Sequence, residues 1–247
     1  IWEIGAVPCL TWEPMTLSDN IEKMIPYEDI LSGQYDDYIS SMATEVKLWN
    51  KPLMIRFAHE MNISRYHFGT DKDNFGPQSP EIFIKMFRYI VNMFKEQQVN
   101  NVLWVFCPNV NSIPNELWNA AKNYYPGDKY VDIFGMDGYN WNINRELSAS
   151  KNQSWTSSWH TFEQIFQPLY QELRSINPDK PIIVFETASV NRTGDPKKSL
   201  WIQEALTICK KWGIKGIVWF QANKEEDWRI NQNDDDSYIS LIQPPTL

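Results

Sequence analysis

Pro52-Leu-Met-Ile-Arg-Phe-Ala-His-Glu-Met-Asn62 decides the fold. It begins as an apolar run of strand length and ends abruptly in His59, Glu60 and Asn62. The same construction recurs outward in both directions. Gly5–Trp12 runs into Glu13, Val102–Cys107 reaches Asn109, and Val131–Asp137 leads to Tyr139. Pro181–Phe185 is followed by Glu186, and Ile214–Phe220 carries Trp219 and precedes Gln221. Longer amphipathic stretches separate these runs. Tyr35–Trp49 places Tyr38, Met42, Val46 and Trp49 at helical spacing, and a helix starting at Pro80 aligns Phe83, Phe87, Ile90, Val91 and Phe94. Leu117–Tyr124 reads as a short helix, Trp159–Ile176 as one stopped before Pro178, and Lys197–Trp212 as one closed by Gly213.

Apolar strands alternating with helices mean a parallel sheet covered by helices. An open doubly wound sheet gathers its functional groups at one crevice, usually beside a glycine-rich loop. Neither GxGxxG nor GxxxxGK[ST] occurs. A (β/α)8 barrel instead collects polar residues from the end of every strand on one face, which is the pattern found. The expected fold is therefore α/β, a (β/α)8 TIM barrel in one domain spanning residues 1–247. Only six strands are legible, so the chain is expected to begin after the first two, or to be completed by residues outside this sequence.

Composition narrows the partners. The 247 residues include 23 basic and 31 acidic side chains, a net charge of −8, with no basic cluster beyond Lys197-Lys198 or Lys210-Lys211. That argues against nucleic acid and anionic membranes, and no apolar run approaches a membrane span. The three cysteines, Cys9, Cys107 and Cys209, lie far apart and form no metal signature. His59-Glu60 with His67 is not HExxH, and Asp234-Asp-Asp236 lacks the glycine and terminal glutamate of a calcium loop, so no metal is expected. No GxSxG supports a serine nucleophile. The aromatics, 12 Trp, 11 Tyr and 12 Phe, often stand beside polar residues near strand ends, as in Trp12-Glu13, Tyr139-Asn140-Trp141 and Asp227-Trp228. Large core rings account for many of them, but a groove that stacks sugar rings uses amphipathic aromatics in such places.

Strand alternation puts Arg56, Ala58 and Glu60 on one face, Gly135, Asp137 and Tyr139 on another, and Ile182, Val184 and Glu186 on a third. A carboxylate ending an apolar strand needs partners or a chemical task. An ion pair such as Glu60 with Arg56 is the structural alternative. Glycoside hydrolysis is the chemical one, because it requires two carboxyls in different environments flanking one bond.

These residues resemble glycoside hydrolase family 26, of the retaining (β/α)8 glycosidases. The likeness is carried in order by Thr11-Trp-Glu-Pro14, Arg56-Phe-Ala-His-Glu-Met-Asn62, Tyr124-Tyr-Pro-Gly-Asp128, Val131-Asp132, Asp137-Gly-Tyr-Asn-Trp141, Phe185-Glu-Thr-Ala188 and Ile217-Val-Trp-Phe220. The resemblance implies a retaining endo-β-glycanase with Glu60 as acid/base after the fourth barrel strand and Glu186 as nucleophile after the seventh. It further implies that Tyr139 bonds the nucleophile, His59 holds substrate, Trp219 floors the −1 sugar, and Arg56 supports the carboxylates. Asn62, Tyr66, Phe68, Asp137, Trp141 and Trp12 complete the expected substrate-binding set. No cofactor is implied. A polysaccharide substrate, a monomeric state and a secreted or periplasmic location follow from the same reading.

The loop Ile63-Ser-Arg-Tyr-His-Phe-Gly69 departs from the family's pattern of a Gly followed by a Trp-rich stretch. It leaves β-1,4-mannan, mixed-linkage β-glucan and β-1,3-xylan open, with mannan or β-1,3-1,4-glucan preferred. Two alternatives stand beside this reading. One is a hydrolase trimming a bacterial exopolysaccharide, and the other is a non-catalytic carbohydrate-binding barrel.

Overall fold

A computed structural model describes residues 2–19, 21–66, 75–141, 159–191 and 197–230. All six expected strands form, as β1 (Cys9–Trp12), β4 (Leu53–Phe57), β5 (Val102–Phe106), β6 (Ile133–Asn140), β7 (Ile182–Ser189) and β8 (Ile217–Trp219). The long helices are α2 (Asp36–Trp49), α3 (Ser79–Glu96), α4 (Phe162–Ile176) and α5 (Lys198–Trp212). Some small elements among the described residues escape the sequence pattern. They include an antiparallel hairpin of β2 (Met15–Ser18) and β3 (Ile21–Met24), and the five-residue helix α1 (Tyr27–Leu31). The hairpin is largely exposed, so it carries no apolar alternation to read. The expected helix at 117–124 is instead two 3-10 turns, Leu117–Asn119 and Ala121–Tyr124, because Ala120 between them is extended, with ψ 140°.

The chain divides into two compact units. The first holds residues 1–135 and 172–181. Its strands run in the order β1-β4-β5-β6, and the paired strands are parallel, with Thr11 beside Arg56, Trp12 beside Phe57 and Phe106 beside Phe134. Parallel neighbours need long crossovers, which α2 and α3 supply between β1, β4 and β5. Pro80 sits in the first turn of α3, as the sequence indicates, where its missing N–H costs nothing. The buried face of α3 presents Phe83, Phe87, Ile90, Val91 and Phe94. Phe87 meets Phe57 at 6.0 Å, and Phe94 meets Trp104 edge-on at 5.1 Å. Each such ring contributes about 1.5–3 kcal/mol by leaving water.

β6 crosses into the second unit, residues 136–171 and 182–247. There the strand order continues β6-β7-β8, and β7 and β8 pair in parallel. Phe162 stacks on Phe166 at 4.3 Å and meets Trp201 edge-on at 5.5 Å, while Tyr170 stacks on Trp212 at 4.4 Å. Gly213 ends α5 in the left-handed conformation, φ 69°, which only glycine adopts without strain.

Candidate active site

In the first unit, strand geometry stops at Phe57. Ala58 and Glu60 both have positive φ, 47° and 53°, a costly conformation for residues with a Cβ that recurs at functional sites. The backbone partners show what holds it. The Ala58 N–H donates to the Trp12 carbonyl at 2.9 Å, and the Glu60 N–H to the Cys107 carbonyl at 2.8 Å. This corrects the expectation that Arg56, Ala58 and Glu60 share a face by simple alternation. The period-two rule needs extended backbone, and the chain here twists left-handed at every second residue.

The Glu60 side chain is buried, and its Oε1 accepts a 2.6 Å hydrogen bond from Asn109 Nδ2. Asn109 is itself held. Its backbone N–H donates to Asn62 Oδ1 at 2.9 Å, its carbonyl accepts from Asn62 Nδ2 at 2.9 Å, and its Oδ1 accepts from the Asn111 N–H at 2.8 Å. The Asn62 carbonyl in turn accepts from Asn119 Nδ2, whose Oδ1 accepts from the Tyr124 hydroxyl. Asn62 was expected among the substrate-binding residues. The structure buries it, at 1% exposure, with its amide committed to residues 109–112. It positions Asn109, which the sequence reading left out of the site.

Two more predicted residues belong to this cluster. Arg56 is buried and donates through Nε and Nη2 to Thr11 Oγ1 at 3.2 and 3.0 Å. His59 is buried, and its imidazole is held well below the usual histidine range, first by burial and then by the charges of Arg56 and Arg65. It is therefore neutral at neutral pH. Trp12 lies elsewhere. Its ring packs against Phe57 at 5.3 Å, Tyr38 at 6.1 Å and Phe94 at 6.2 Å, on the helix-covered side of the strands. Register explains this, since Trp12 pairs with Phe57 while Thr11 pairs with Arg56. Tyr66 ends the 3-10 turn Ser64–Tyr66, and Phe68 lies outside the described residues.

In the second unit, Glu186 is half-buried on β7. Val184 pairs with Ile217 and Thr187 with Trp219, so β7 spends one extra residue across this interval. Such an irregularity re-aims side chains beside sites, and it breaks the plain alternation expected for Ile182, Val184 and Glu186. The Tyr139 hydroxyl donates to Glu186 Oε2 at 2.6 Å, a length typical of a hydroxyl bonded to a charged acceptor. Asp137 is fully buried two residues before Tyr139 on β6.

An aromatic box surrounds Tyr139. Trp141 is 5.9 Å away, Phe220 5.8 Å and Trp228 5.1 Å, and Trp228 meets Trp141 edge-on at 4.7 Å. Trp219 Nε1 donates to the Trp228 carbonyl at 2.8 Å. The sequence reading noted Asp227-Trp228 but did not place Trp228 in the site, since nothing local marks it apart from other tryptophans.

Asn109 thus helps to orient the first carboxylate and Tyr139 the second, which aromatic faces flank. None of the described helices is long and apolar enough to cross a membrane.

The family model of glycosyl hydrolase family 26 matches residues 10–159. Endoglucanase H of Acetivibrio thermocellus is 37% identical over 235 residues, 94% of this chain and 24% of that protein. A mannan endo-1,4-beta-mannosidase of Bacillus subtilis is 31% identical over 106 residues, 41% of this chain and 27% of that protein. The chain therefore spans about a quarter of the length of these sequence relatives. Among solved structures, the catalytic domain of an endo-beta-1,4-mannanase from Bacillus sp. JAMB-750 superposes with TM-score 0.63 at 20% identity, over 93% of this chain and 60% of that one. Bacillus subtilis mannanase man26 gives 0.60 at 19%, over 93% and 68%. The fold is theirs, and the six parallel strands make it a partial (β/α)8 barrel.

Proposed function

The chain belongs to glycosyl hydrolase family 26, and from that membership we propose that it is a retaining endo-β-glycanase using Glu60 as acid/base and Glu186 as nucleophile. Glu186 attacks the anomeric carbon as the glycosidic C–O bond breaks, and Glu60 delivers its proton to the departing oxygen. Ionised Glu60 then takes a proton from water. That water attacks the same carbon, and the Glu186–sugar bond breaks, so both steps balance and the configuration is retained.

The observation that carries this reading is the 2.6 Å bond from Tyr139 to Glu186 Oε2. It orients the carboxylate for attack on the anomeric carbon. Burial of Glu60 supports its complementary task. Its enclosure keeps bulk water from the proton that it is to deliver. Asn109 turns the group by holding Oε1. Neutral His59 contributes hydrogen bonds without adding a competing positive charge, while Trp141 and Trp219 offer faces for sugar rings.

The substrate in this reading is a polysaccharide, β-1,3-1,4-glucan or β-1,4-mannan. Glucan is favoured because the endoglucanase likeness runs through 94% of the chain, whereas the mannosidase likeness covers 41%. Such polymers do not enter cells, so the enzyme acts outside the cytoplasm, as a monomeric catalytic domain. The test is reducing-sugar release from barley β-glucan, konjac glucomannan, galactomannan, β-1,3-xylan and one acidic exopolysaccharide, with Glu186→Gln as blank. Release from barley β-glucan or a mannan that the blank lacks supports the proposal. Release from the acidic polymer alone, or equal signal from the blank, overturns it.

A further inference from the structure

Lys198, the first residue of α5, is buried at 2% exposure and reaches the segment that follows β8. Its Nζ donates to the Arg229 carbonyl at 2.9 Å and to the Asp227 carbonyl at 3.3 Å. The carbonyl between them, on Trp228, accepts from Trp219 Nε1. Three consecutive carbonyls, 227, 228 and 229, are therefore all held by side-chain donors. Burying an ammonium is costly unless dipoles compensate it, and here it fixes a segment that is itself neither strand nor helix.

The neck of that segment is closed separately. Gln221 Nε2 donates to the Ile230 carbonyl at 3.0 Å, and the Ile230 N–H donates to Gln221 Oε1 at 2.9 Å. The Trp228 N–H donates back to the Ala222 and Glu226 carbonyls. These bonds drive the Trp228 ring, 1% exposed, into the box with Tyr139 at 5.1 Å and Trp141 at 4.7 Å. The Tyr139 hydroxyl bonds Glu186 while its ring lies among Trp141, Phe220 and Trp228. The direction of its ring is set by what backs it, and Trp228 is the most deeply buried of the rings that do.

We propose that Lys198 is a positioning residue for the nucleophile: it pins residues 227–229 so that Trp228 backs Tyr139 and holds the Tyr139–Glu186 hydrogen bond in line. This rests on the reading of Glu186 as nucleophile. Lys198 touches no reacting atom in this scheme and acts through two intermediates. Removing it loosens Glu186 through Tyr139, and because Trp228 also touches Trp141 and anchors Trp219 the sugar-binding faces shift too, so the bond-making step suffers more than binding.

The experiment uses 2-deoxy-2-fluoro-β-glycosyl fluorides of the gluco and manno series, which trap the glycosyl-enzyme. The rate constant of trapping is separated from the concentration giving half-maximal rate, and the labelled peptide is identified by mass spectrometry. Lys198→Met is compared with the parent, with Tyr139→Phe, and with the double variant. Expected is label on Glu186 and a trapping rate about tenfold lower in Lys198→Met, with the half-maximal concentration changed by less than about threefold. Lys198→Met should add nothing in the Tyr139→Phe background. Gln221→Leu, which frees the neck and leaves the charge of Lys198 in place, should lower the rate in the same direction but less, so the result survives if Lys198→Met fails to fold.

Equal trapping rates in parent and both variants overturn the proposal. So does a full additional loss in the Tyr139→Phe background, which would mean that the ammonium acts by its charge alone. Label on a residue other than Glu186, or no label from either series, overturns the nucleophile reading and the proposal with it, a result distinguishable from unequal or equal rates on a labelled Glu186.

Discussion

The two carboxylates are held by opposite means. Glu60 follows a left-handed backbone and is gripped by an amide network of Asn109, Asn62, Asn111 and Asn119 in which almost every donor has a named acceptor. Glu186 stands on a strand with a local register shift and is gripped by a phenol whose direction depends on packed rings. A network of directional amides fixes a group through geometry, at the risk that one lost member strands several others. A ring box fixes it through shape, which tolerates small changes but transmits distant ones. The proposed mechanism requires the two carboxyls to differ in protonation, and unlike supports suit that requirement.

The widest expected effect separates the two directly. Glu186→Ala should lower turnover of both a polysaccharide and an activated aryl glycoside by at least about a thousandfold, with azide restoring an α-configured glycosyl azide. Glu60→Ala should cost about 10²–10⁴ on the polysaccharide yet little in the first step on the aryl glycoside, whose leaving group needs no proton. Equal losses of Glu60→Ala on both substrates break the assignment of unlike roles.

Next come the donors. Asn109→Ala and Tyr139→Phe each remove a hydrogen bond to a carboxyl, about 1.5–3 kcal/mol for a charged partner, and so about ten- to a hundredfold in kcat. Asn109→Ala should act most on poor leaving groups, and Tyr139→Phe on all of them. Steady-state kinetics on paired substrates reads this contrast, and identical profiles would erase it.

The amide network predicts a stability effect that the ring box does not share. Asn62→Ala leaves the Asn109 N–H and the carbonyls of Asn109 and Asn111 without their bonds. It should destabilise by about 2–4 kcal/mol, seen as a lower urea midpoint at unchanged slope. An unchanged midpoint would show the network to be dispensable.

The smallest effect is on pH. His59 is lowered in the folded state, so protonation favours the unfolded chain. Its contribution is fully present above the unfolded value, about 6.5, and is lost progressively as pH falls toward the folded value. Chemical denaturation from pH 7.5 to 5 should show this decline, reduced in His59→Gln. A slope that is the same in both would mean that His59 does not titrate on unfolding.

Much of this was legible in the chain. Six strands and four long helices were marked by apolar runs and helical spacing, because burial on both faces and a 3.6-residue period leave direct traces in sequence, and the two proposed catalytic glutamates stood out as carboxyls ending apolar runs. Gly213 and Pro80 carried their end signals in their own chemistry. The hairpin at 15–24 left no trace because it is largely exposed.

What tertiary structure alone decided is where the functional side chains point. Positive φ at Ala58 and Glu60 depends on bonds to Trp12 and Cys107 from neighbouring strands, and the shift at 184–187 depends on β8. Trp12 turned toward Phe57 and Phe94 by its register with β4, and Asn62 turned inward to Asn109 rather than to a sugar. The tasks proposed for Asn109, Trp228 and Lys198 rest on partners distant in sequence, Glu60, Tyr139 and Arg229, contacts that no local period encodes. Residue identities settle which chemistry is available, because carboxyls, amides and rings are properties of single side chains. Position and protonation are settled by partners that only folding brings together.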